Sequence, residues 1–258
     1  MQGHKVPETA RFLDLSDYGR PAALKIARWA LRRGWSPHLF TFLQALVGLA
    51  AAALMAWSTS GGRVWVALLL PLKSTLDAVD GSLARLRRRP TRTGRFLDSN
   101  LDFVVNLALM LALVPGAGVP VTLALLAFLC MELQGSVYHH LYVRYRHRHG
   151  GDQSAQNRED ARAFPYENPR VVALLYQVYR GFYGWQDALV LRLLNFACGQ
   201  ACVPSARLMT LVSTLGLGFQ LLVIGTLVAL GRATWVPWAF LVPGNLVMAG
   251  VYLALHRS

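Results

Sequence analysis

The sequence predicts an all-α integral membrane protein with six transmembrane helices and an N-terminal amphipathic helix at the membrane interface. Hydrophobic residues make up 54% of the 258 positions and charged residues only 15%. The apolar residues form runs of about 20, the length that a helix needs to cross a bilayer. The chain carries 26 Lys and Arg against 13 acids, a net charge of +13. Because the basic residues flank the apolar runs, this charge indicates membrane topology rather than nucleic-acid binding.

The first 35 residues form a polar lead followed by a basic amphipathic helix. Residues 1–16 are mostly polar, and we expect a mobile lead there. From 17 to 34 the apolar positions alternate with basic ones at helical spacing, a pattern typical of helices that lie in the interface plane. The basic positions are Arg20, Lys25, Arg28, Arg32 and Arg33.

The remaining residues, 36–258, are expected to form one transmembrane catalytic domain. The six predicted spans cover residues 36–59, 63–86, 94–114, 119–142, 204–230 and 235–255. Between the fourth and fifth spans, residues 144–203 are predicted to form a cytoplasmic loop followed by a pair of interfacial helices, because polar residues interrupt the apolar run after 169. Cys198 and Cys202 are interpreted as packed thiols.

Charge placement predicts the orientation in the membrane. The basic N-terminal helix, the arginine-rich connector at 87–95 and the loop at 144–170 should share the cytoplasmic side. Six spans put both chain ends there, and His256-Arg257 agrees. The far end of the second span, and with it the acids described next, should therefore lie near the cytoplasmic face.

Four aspartates lie inside this apolar sequence at helical spacing. Asp77 and Asp80 occupy one face of the second span, and at about 100° per residue Gly81 and Ala84 share that face. Asp98 and Asp102 follow Gly94 in steps of four along the third span, and Asn106 continues that face. Two facing helices would bring the four carboxylates together.

Such a cluster requires compensating charge. Neighbouring buried acids repel each other, and removing a carboxylate from water costs several kcal/mol. Oxygen ligands suit hard divalent ions, and we expect two Mg²⁺ ions, with Mn²⁺ as the alternative. The small residues leave room for a flat group near the backbone, and Arg85 is a natural phosphate partner. A nucleotide combines these features.

The stretch from Asp77 to Asp102 resembles the signature of the CDP-alcohol phosphotransferases, membrane enzymes of phospholipid synthesis. All eight fixed positions are present at the family's spacing: Asp77, Asp80, Gly81, Ala84, Arg85, Gly94, Asp98 and Asp102. The resemblance implies that the four aspartates bind metal and that Asp102 also acts as general base. It further implies a CDP pocket formed by Gly81, Ala84, Arg85 and Gly94, and a homodimer.

A second, partial resemblance lies at the start of the first span. Where the family often has Thr-Pro-Asn and a later threonine, this chain has Ser36, Pro37, His38 and Thr41. His38 and Thr41 are therefore interpreted either as neighbours of the cytidine or as ordinary interface residues.

The resemblance implies that CDP-diacylglycerol or another CDP-alcohol is the donor and that a polar alcohol is the acceptor. Phe96-Leu97-Asp98-Ser99 with Leu101-Asp102 is similar to members that handle inositol phosphates. Lys73 is predicted to pair with an acid or to contact an anionic acceptor. Arg207 is predicted to bind the acceptor or to be a flanking charge. Glu132, on the fourth span, is either functional or part of an interhelical hydrogen bond.

Two alternatives remain open at this point. A soluble donor of the CDP-choline, CDP-ethanolamine or CDP-inositol type would share the whole signature, with a lipid or an inositol phosphate as acceptor. A membrane cation transporter could also use intramembrane acids, but it would not need the small residues and the arginine at fixed offsets.

Overall fold

The protein is all-helical, as the sequence predicts. The computed structural model describes residues 5–57, 60–153, 156, 159–199 and 202–256, and no strand occurs among them. The helices are α1 (Arg20–Arg32), α2 (Pro37–Trp57), α3 (Ser60–Leu86), α4 (Arg92–Ala117), α5 (Val121–Arg148), α6 (Pro169–Cys198), α7 (Ala206–Val212), α8 (Leu217–Ala229), α9 (Val236–Ala239) and α10 (Asn245–His256). A π-helical turn, Phe240–Gly244, joins α9 to α10.

Helices α2, α4, α5 and α8 meet in one apolar core, whose fully buried members include Leu109, Leu113 and Ile224. Small residues allow the helix backbones to approach closely, as is common in membrane bundles. A Cβ atom on Gly116 of α4 would lie 2.0 Å from the backbone oxygen of Met55 on α2. This contact fixes α4 against α2, and α4 carries two of the four aspartates.

The described helices give four or five candidate membrane spans, so the predicted count of six remains a prediction. By length and composition, four described helical segments could cross a membrane: Pro37–Trp57, Arg92–Ala117, Val121–Arg148 and Ala233–His256. A fifth results if Ala206–Leu215 and Leu217–Ala229, which meet at 49°, form one bent span. Helix α3, which carries Asp77 and Asp80, is not among them. The predicted end of the first span, Thr59, and the terminal Arg257 lie outside the described residues.

Helices α4 and α5 extend beyond their predicted ends. Helix α4 does not end at Pro115 but continues to Ala117, and Gly118, in the left-handed region with φ 67°, terminates it. Helix α5 runs to Arg148, beyond the predicted end at Tyr142. Its last turns are buried against the N-terminal segment, which was not foreseen.

Residues 169–198 form one continuous helix, so the predicted pair of interfacial helices is wrong. Asn168 caps α6 by accepting a hydrogen bond from the backbone N–H of Arg170. The polar residues do not break the helix, because Arg180 and Arg192 are exposed while Gln186 is buried. The cysteine prediction is also wrong, since the structure joins Cys198 to Cys202 in a disulfide.

Helix α1 is amphipathic, as predicted, and packs on α3. Ala23, Ala27 and Ala30 are fully buried, in a cluster that includes Val79 and Leu83 of α3. The basic residues Lys25, Arg28, Arg32 and Arg33 are exposed on the opposite side. The position of α1 at a membrane interface remains a prediction.

The described part of the N-terminal lead, residues 5–16, is packed rather than mobile. Val6 and Ala10 are buried. The ring of Phe12 makes edge contacts with Tyr142 and Tyr145 of α5, with centroids 5.6 and 5.3 Å away. The hydroxyl of Tyr145 donates to the backbone oxygen of Ala10 at 3.0 Å. The few apolar residues of this polar lead thus pack against an aromatic surface of α5 that exists only in the folded bundle.

Substitution of Gly218 tests the docking of this lead. A Cβ atom at position 218 would lie 1.9 Å from the backbone oxygen of Ser16. In addition, the side-chain oxygen of Ser16 accepts a hydrogen bond from the backbone N–H of Gly218. We expect Gly218→Ala to displace the lead and to destabilise the protein by roughly 1–3 kcal/mol, the usual cost of overpacking. Faster tryptic cleavage after Lys5 and Arg11, together with a lower melting temperature in detergent, would show this.

Gly250→Ala in α10 is the matched control, because a Cβ atom there meets nothing within 4 Å. Equal melting temperatures and equal protease resistance in the two variants would contradict the docked arrangement.

Candidate active site

All eight residues of the aspartate-rich stretch line one cavity of about 570 Å³. Helix α3 contributes Asp77, Asp80, Gly81, Ala84 and Arg85, and α4 contributes Gly94, Asp98 and Asp102. Thr41 of α2 and Lys73 of α3 line the same cavity. The structure therefore brings together the residues that the sequence analysis placed on two facing helices.

Three of the four aspartates approach each other at metal-ligand distance. Asp77, Asp98 and Asp102 each offer a carboxylate oxygen, and these oxygens all lie within 4.8 Å of one another. Asp80 is buried in the same cavity but lies outside this group of three. Its Oδ2 accepts a hydrogen bond from Thr41 Oγ1 at 2.8 Å. The four acids are thus gathered, with three of them converging most closely.

The surroundings of the three carboxylates fit a hard divalent cation. Gln44 is fully buried beside Asp98 and donates from Nε2 to Asp98 Oδ1 at 3.4 Å. Within the described part of the chain, its Oε1 is buried and accepts no hydrogen bond. Carboxylate and amide oxygens are the ligands that such cations prefer. The sequence analysis missed Gln44, although its spacing of three from Thr41 on α2 places it on the same helix face.

The glycines on the cavity wall leave room for a bound group. A Cβ atom on Gly94 would lie 2.7 Å from Thr91 Oγ1 and 3.1 Å from His38 Cε1. A Cβ atom on Gly81 would lie 3.3 Å from a guanidinium nitrogen of Arg85. His38, like Thr41, lines the cavity. A side chain at either glycine would therefore crowd the residues expected to contact the nucleotide.

The two candidate acceptor residues have different positions. Lys73 is fully buried, and its Nζ donates to Asp102 Oδ1 at 2.7 Å. Of the two predicted roles for Lys73, pairing with an acid is the one that the structure contains. Arg207 is exposed at the start of α7 and is not among the cavity-lining residues, so the structure does not bring it to the site.

Basic residues from several segments also line the cavity, and the sequence pattern did not assign them to the site. They are Lys5, Arg20, Arg88, Arg92, Arg95 and Arg146. Asp152, in the loop after α5, lies 3.5 Å from Arg85 and 4.0 Å from Arg146. Its backbone N–H donates to the backbone oxygen of Lys5 at 2.9 Å. The sequence contains the charges but gives no signal that the lead and this loop meet.

Polar side chains of α5 and α6 form the opposite wall. Asp187 accepts hydrogen bonds from Tyr179 at 2.9 Å and Ser136 at 3.2 Å, and it lies 3.0 Å from His140 Nε2. Asn106 reaches the cavity, as predicted, and its Nδ2 donates to Glu132 Oε1 at 2.8 Å. Glu132 therefore makes the interhelical hydrogen bond that was one of its two predicted roles.

Curated proteins similar to this chain include enzymes of inositol-lipid synthesis. This chain is 39% identical over 80 residues to the phosphatidylinositol phosphate synthase of Streptomyces avermitilis. The aligned residues make up 31% of this chain and 32% of that protein. The chain is 39% identical over 87 residues to the archaetidylinositol phosphate synthase of Aeropyrum pernix, 34% of this chain and 43% of that protein. The bifunctional IPC transferase and DIPP synthase of Aquifex aeolicus is 37% identical over 79 residues, 31% of this chain and 18% of that protein.

These matches span less than half the length of each relative. A family comparison covers more of the chain. The sequence model of the CDP-alcohol phosphatidyltransferases matches residues 35–165, just over half of the 258 residues, and this range includes α2 to α5 and every signature position. The protein is therefore an enzyme of the CDP-alcohol phosphatidyltransferase family.

Proposed function

We propose that this enzyme transfers a phosphatidyl group from CDP-diacylglycerol to the hydroxyl of a polar alcohol and releases CMP. The observation that supports this most directly is the convergence of all eight signature residues on one cavity. Membership in a transferase family argues against the alternative of a cation transporter. The bundle of apolar helices around the cavity favours a lipid-linked donor over a soluble one.

We further propose that the acceptor is an inositol phosphate. The names of two relatives specify inositol phosphate lipids as their products. The cavity offers the matching chemistry, because its basic lining residues Lys5, Arg20 and Arg146 suit a phosphate group. The hydroxyl-rich wall around Asp187 suits a polyol. The stretch Phe96-Leu97-Asp98-Ser99 with Leu101-Asp102 is similar to family members that handle inositol phosphates, and it favours the same class of acceptor.

The acids have distinct roles in this proposal. Asp77, Asp80 and Asp98 would bind two divalent ions. Asp102 would bind the second of these ions and would also accept the proton of the acceptor hydroxyl. Two bound Mg²⁺ ions, with Mn²⁺ as the alternative, would stabilise charge on the attacking and leaving oxygens. Arg85 and the space beside Gly81, Ala84 and Gly94 hold the CDP group, with Thr41 next to it.

The reaction is a displacement at phosphorus. The acceptor oxygen forms a bond to the phosphorus that carries the diacylglycerol, and the bond from that phosphorus to the CMP oxygen breaks. CMP leaves with the electron pair, and the proton of the attacking hydroxyl passes to Asp102. The proton acceptor must lie within hydrogen-bond reach of that hydroxyl, which requires the acceptor to bind beside α4.

We place this site at the cytoplasmic face of a six-span, homodimeric membrane protein whose catalytic domain comprises residues 36–258. Helix α3 is counted as the sixth span. Its 27 residues make a helix about 40 Å long, more than the ~30 Å of a hydrocarbon core. Several charged residues of α3 line the cavity, namely Lys73, Asp77, Asp80 and Arg85, and their charges are why hydropathy alone does not select the helix.

Divalent ions should stabilise the folded protein through the acid cluster. We expect Mg²⁺ or Mn²⁺ to raise the melting temperature in detergent, by an amount equivalent to roughly 3 kcal/mol at a hundredfold excess over Kd. Asp98→Asn should lose most of this increase, because it removes one of the three converging carboxylates. Differential scanning fluorimetry against EDTA measures the effect.

Asp160→Asn is the control, since that carboxylate is 59% exposed and lies outside the acid cluster. It lies 3.7 Å from Arg92 and accepts a hydrogen bond from the backbone N–H of Arg162 at 3.1 Å. The variant should respond to metal as the wild type does. Identical melting temperatures of the wild type in EDTA and in excess metal would show that the cluster binds no stabilising ion.

Release of CMP tests the reaction itself. Purified enzyme with Mg²⁺ and CDP-diacylglycerol should release CMP when inositol phosphate is added, and much less with inositol or glycerol phosphate. Asp102→Asn should lower turnover about 100-fold or more, the usual contribution of a general base. Chromatography of CMP and mass spectrometry of the lipid identify the products.

Parallel reactions in which CDP-choline, CDP-ethanolamine or CDP-inositol replaces CDP-diacylglycerol test which donor the enzyme uses. Product from one of these, with none from CDP-diacylglycerol, would overturn the proposed donor but leave the family assignment intact. Wild-type turnover by the Asp102→Asn variant would exclude Asp102 as the base.

A further inference from the structure

Lys73 is a fully buried ammonium group beside the acid cluster. Its side chain has no exposed surface, and its Nζ lies 2.7 Å from Asp102 Oδ1. Lys73 is one helical turn before Asp77 on α3, whereas Asp102 is on α4. Removing an ammonium group from water costs several kcal/mol unless it is paired. The pair therefore joins the two helices that carry the acids.

The surrounding helices leave a space that fits the lysine side chain. Gly48 of α2 faces it, and a Cβ atom at Gly48 would lie 3.2 Å from both Cδ and Cε of Lys73. The same Cβ atom would lie 2.4 Å from Val105 of α4. The absence of a side chain at position 48 thus allows the apolar part of Lys73 to pass between the helices and its charge to reach Asp102.

The position of Lys73 also gives the acid cluster a permanent positive charge. Asp77, Asp98 and Asp102 converge within 4.8 Å, and Lys73 bonds directly to one of them. A divalent ion held by these carboxylates would lie a few ångströms from the ammonium group, which would repel it. The same ammonium group fixes one oxygen of Asp102 and so restricts the direction of the other.

We propose that Lys73 is a positioning residue that acts as a built-in cation of the metal centre. It holds Asp102 in place, and it weakens the binding of divalent ions to the empty cavity. Ions then bind firmly only together with a diphosphate, whose negative charge offsets the ammonium group. This inference rests on the proposed function, because it assumes that the acids hold the ions used in the transfer.

Metal binding without substrate provides the test. Lys73→Met keeps an unbranched side chain one atom shorter and removes its charge, while Lys25→Met removes a charge from the exposed face of α1. Binding of Mn²⁺ to each purified protein is followed by electron paramagnetic resonance, with and without CDP. We expect Lys73→Met to bind Mn²⁺ roughly tenfold or more tightly than the wild type, because a nearby positive charge is lost.

The effect of CDP distinguishes this role from a purely structural one. CDP should increase the Mn²⁺ affinity of the wild type and of Lys25→Met several-fold more than that of Lys73→Met. Unchanged or weaker Mn²⁺ binding by a folded Lys73→Met protein, or an equal effect of CDP on all three proteins, would overturn the proposal.

A second pair of variants covers the case in which Lys73→Met does not fold. Lys73→Met combined with Asp102→Asn removes both charges of the buried pair, and Asp102→Asn alone keeps the lysine. The double variant should bind Mn²⁺ several-fold more tightly than the single Asp102→Asn variant. Equal affinities would overturn the proposal.

Kinetics separate this inference from the proposed function. Lys73→Met should need less Mg²⁺ for its half-maximal rate and should have a lower kcat, because Asp102 is no longer held, with little change in the KM for the donor. An enzyme that releases no CMP from CDP-diacylglycerol would overturn the proposed function, whereas the Mn²⁺ comparison needs no turnover. Normal CMP release with unaltered Mn²⁺ affinity would overturn only the role of Lys73.

Discussion

Electrostatic repulsion among carboxylates is the constraint on which the centre of this protein depends. Asp77, Asp98 and Asp102 converge within 4.8 Å inside a bundle whose other contacts are largely apolar. Such an arrangement is stable only where positive charge is close. Lys73 supplies positive charge in direct contact with Asp102, other basic residues line the same cavity, and the converging carboxylate oxygens can hold a cation. The placement of α3 and α4 on either side of the carboxylates and the chemistry of the site are therefore coupled through the same charges.

Close helix packing makes this arrangement geometrically accessible. Gly48 makes room for the Lys73 side chain, and Gly116 brings α4 against the backbone of α2. On the cavity wall, Gly94 lies beside His38 and Thr91. Larger residues at these positions would separate the helices or fill the space needed for a nucleotide. Small residues thus serve both the packing of the bundle and the shape of its cavity.

The sequence predicts the site better than it predicts the surrounding fold. The site depends mainly on residues that are close in sequence, whereas parts of the fold depend on contacts between distant segments. Asp77 and Asp80, like Asp98 and Asp102, are related by the periodicity of a single helix, so their common face follows from local geometry. Only a facing pair of helices had to be assumed. By contrast, the continuity of α6 depends on tertiary packing that buries Gln186, and the docking of residues 5–16 depends on α5 and α8. Neither is visible in a local pattern.

The hydrogen bonds of the N-terminal lead have a consequence for biosynthesis. The backbone N–H of Leu15 donates to Ser213, 198 positions later, and Ser16 accepts from Gly218, 202 positions later. A ribosome must therefore have made the chain as far as Ser213 and Gly218 before these two hydrogen bonds can form. Because the lead carries Lys5 and Ser16, these hydrogen bonds complete one wall of the cavity only after α3 to α6 have been made. The lead precedes every other cavity-lining segment in the sequence, yet its last hydrogen bonds to the bundle form after those segments exist.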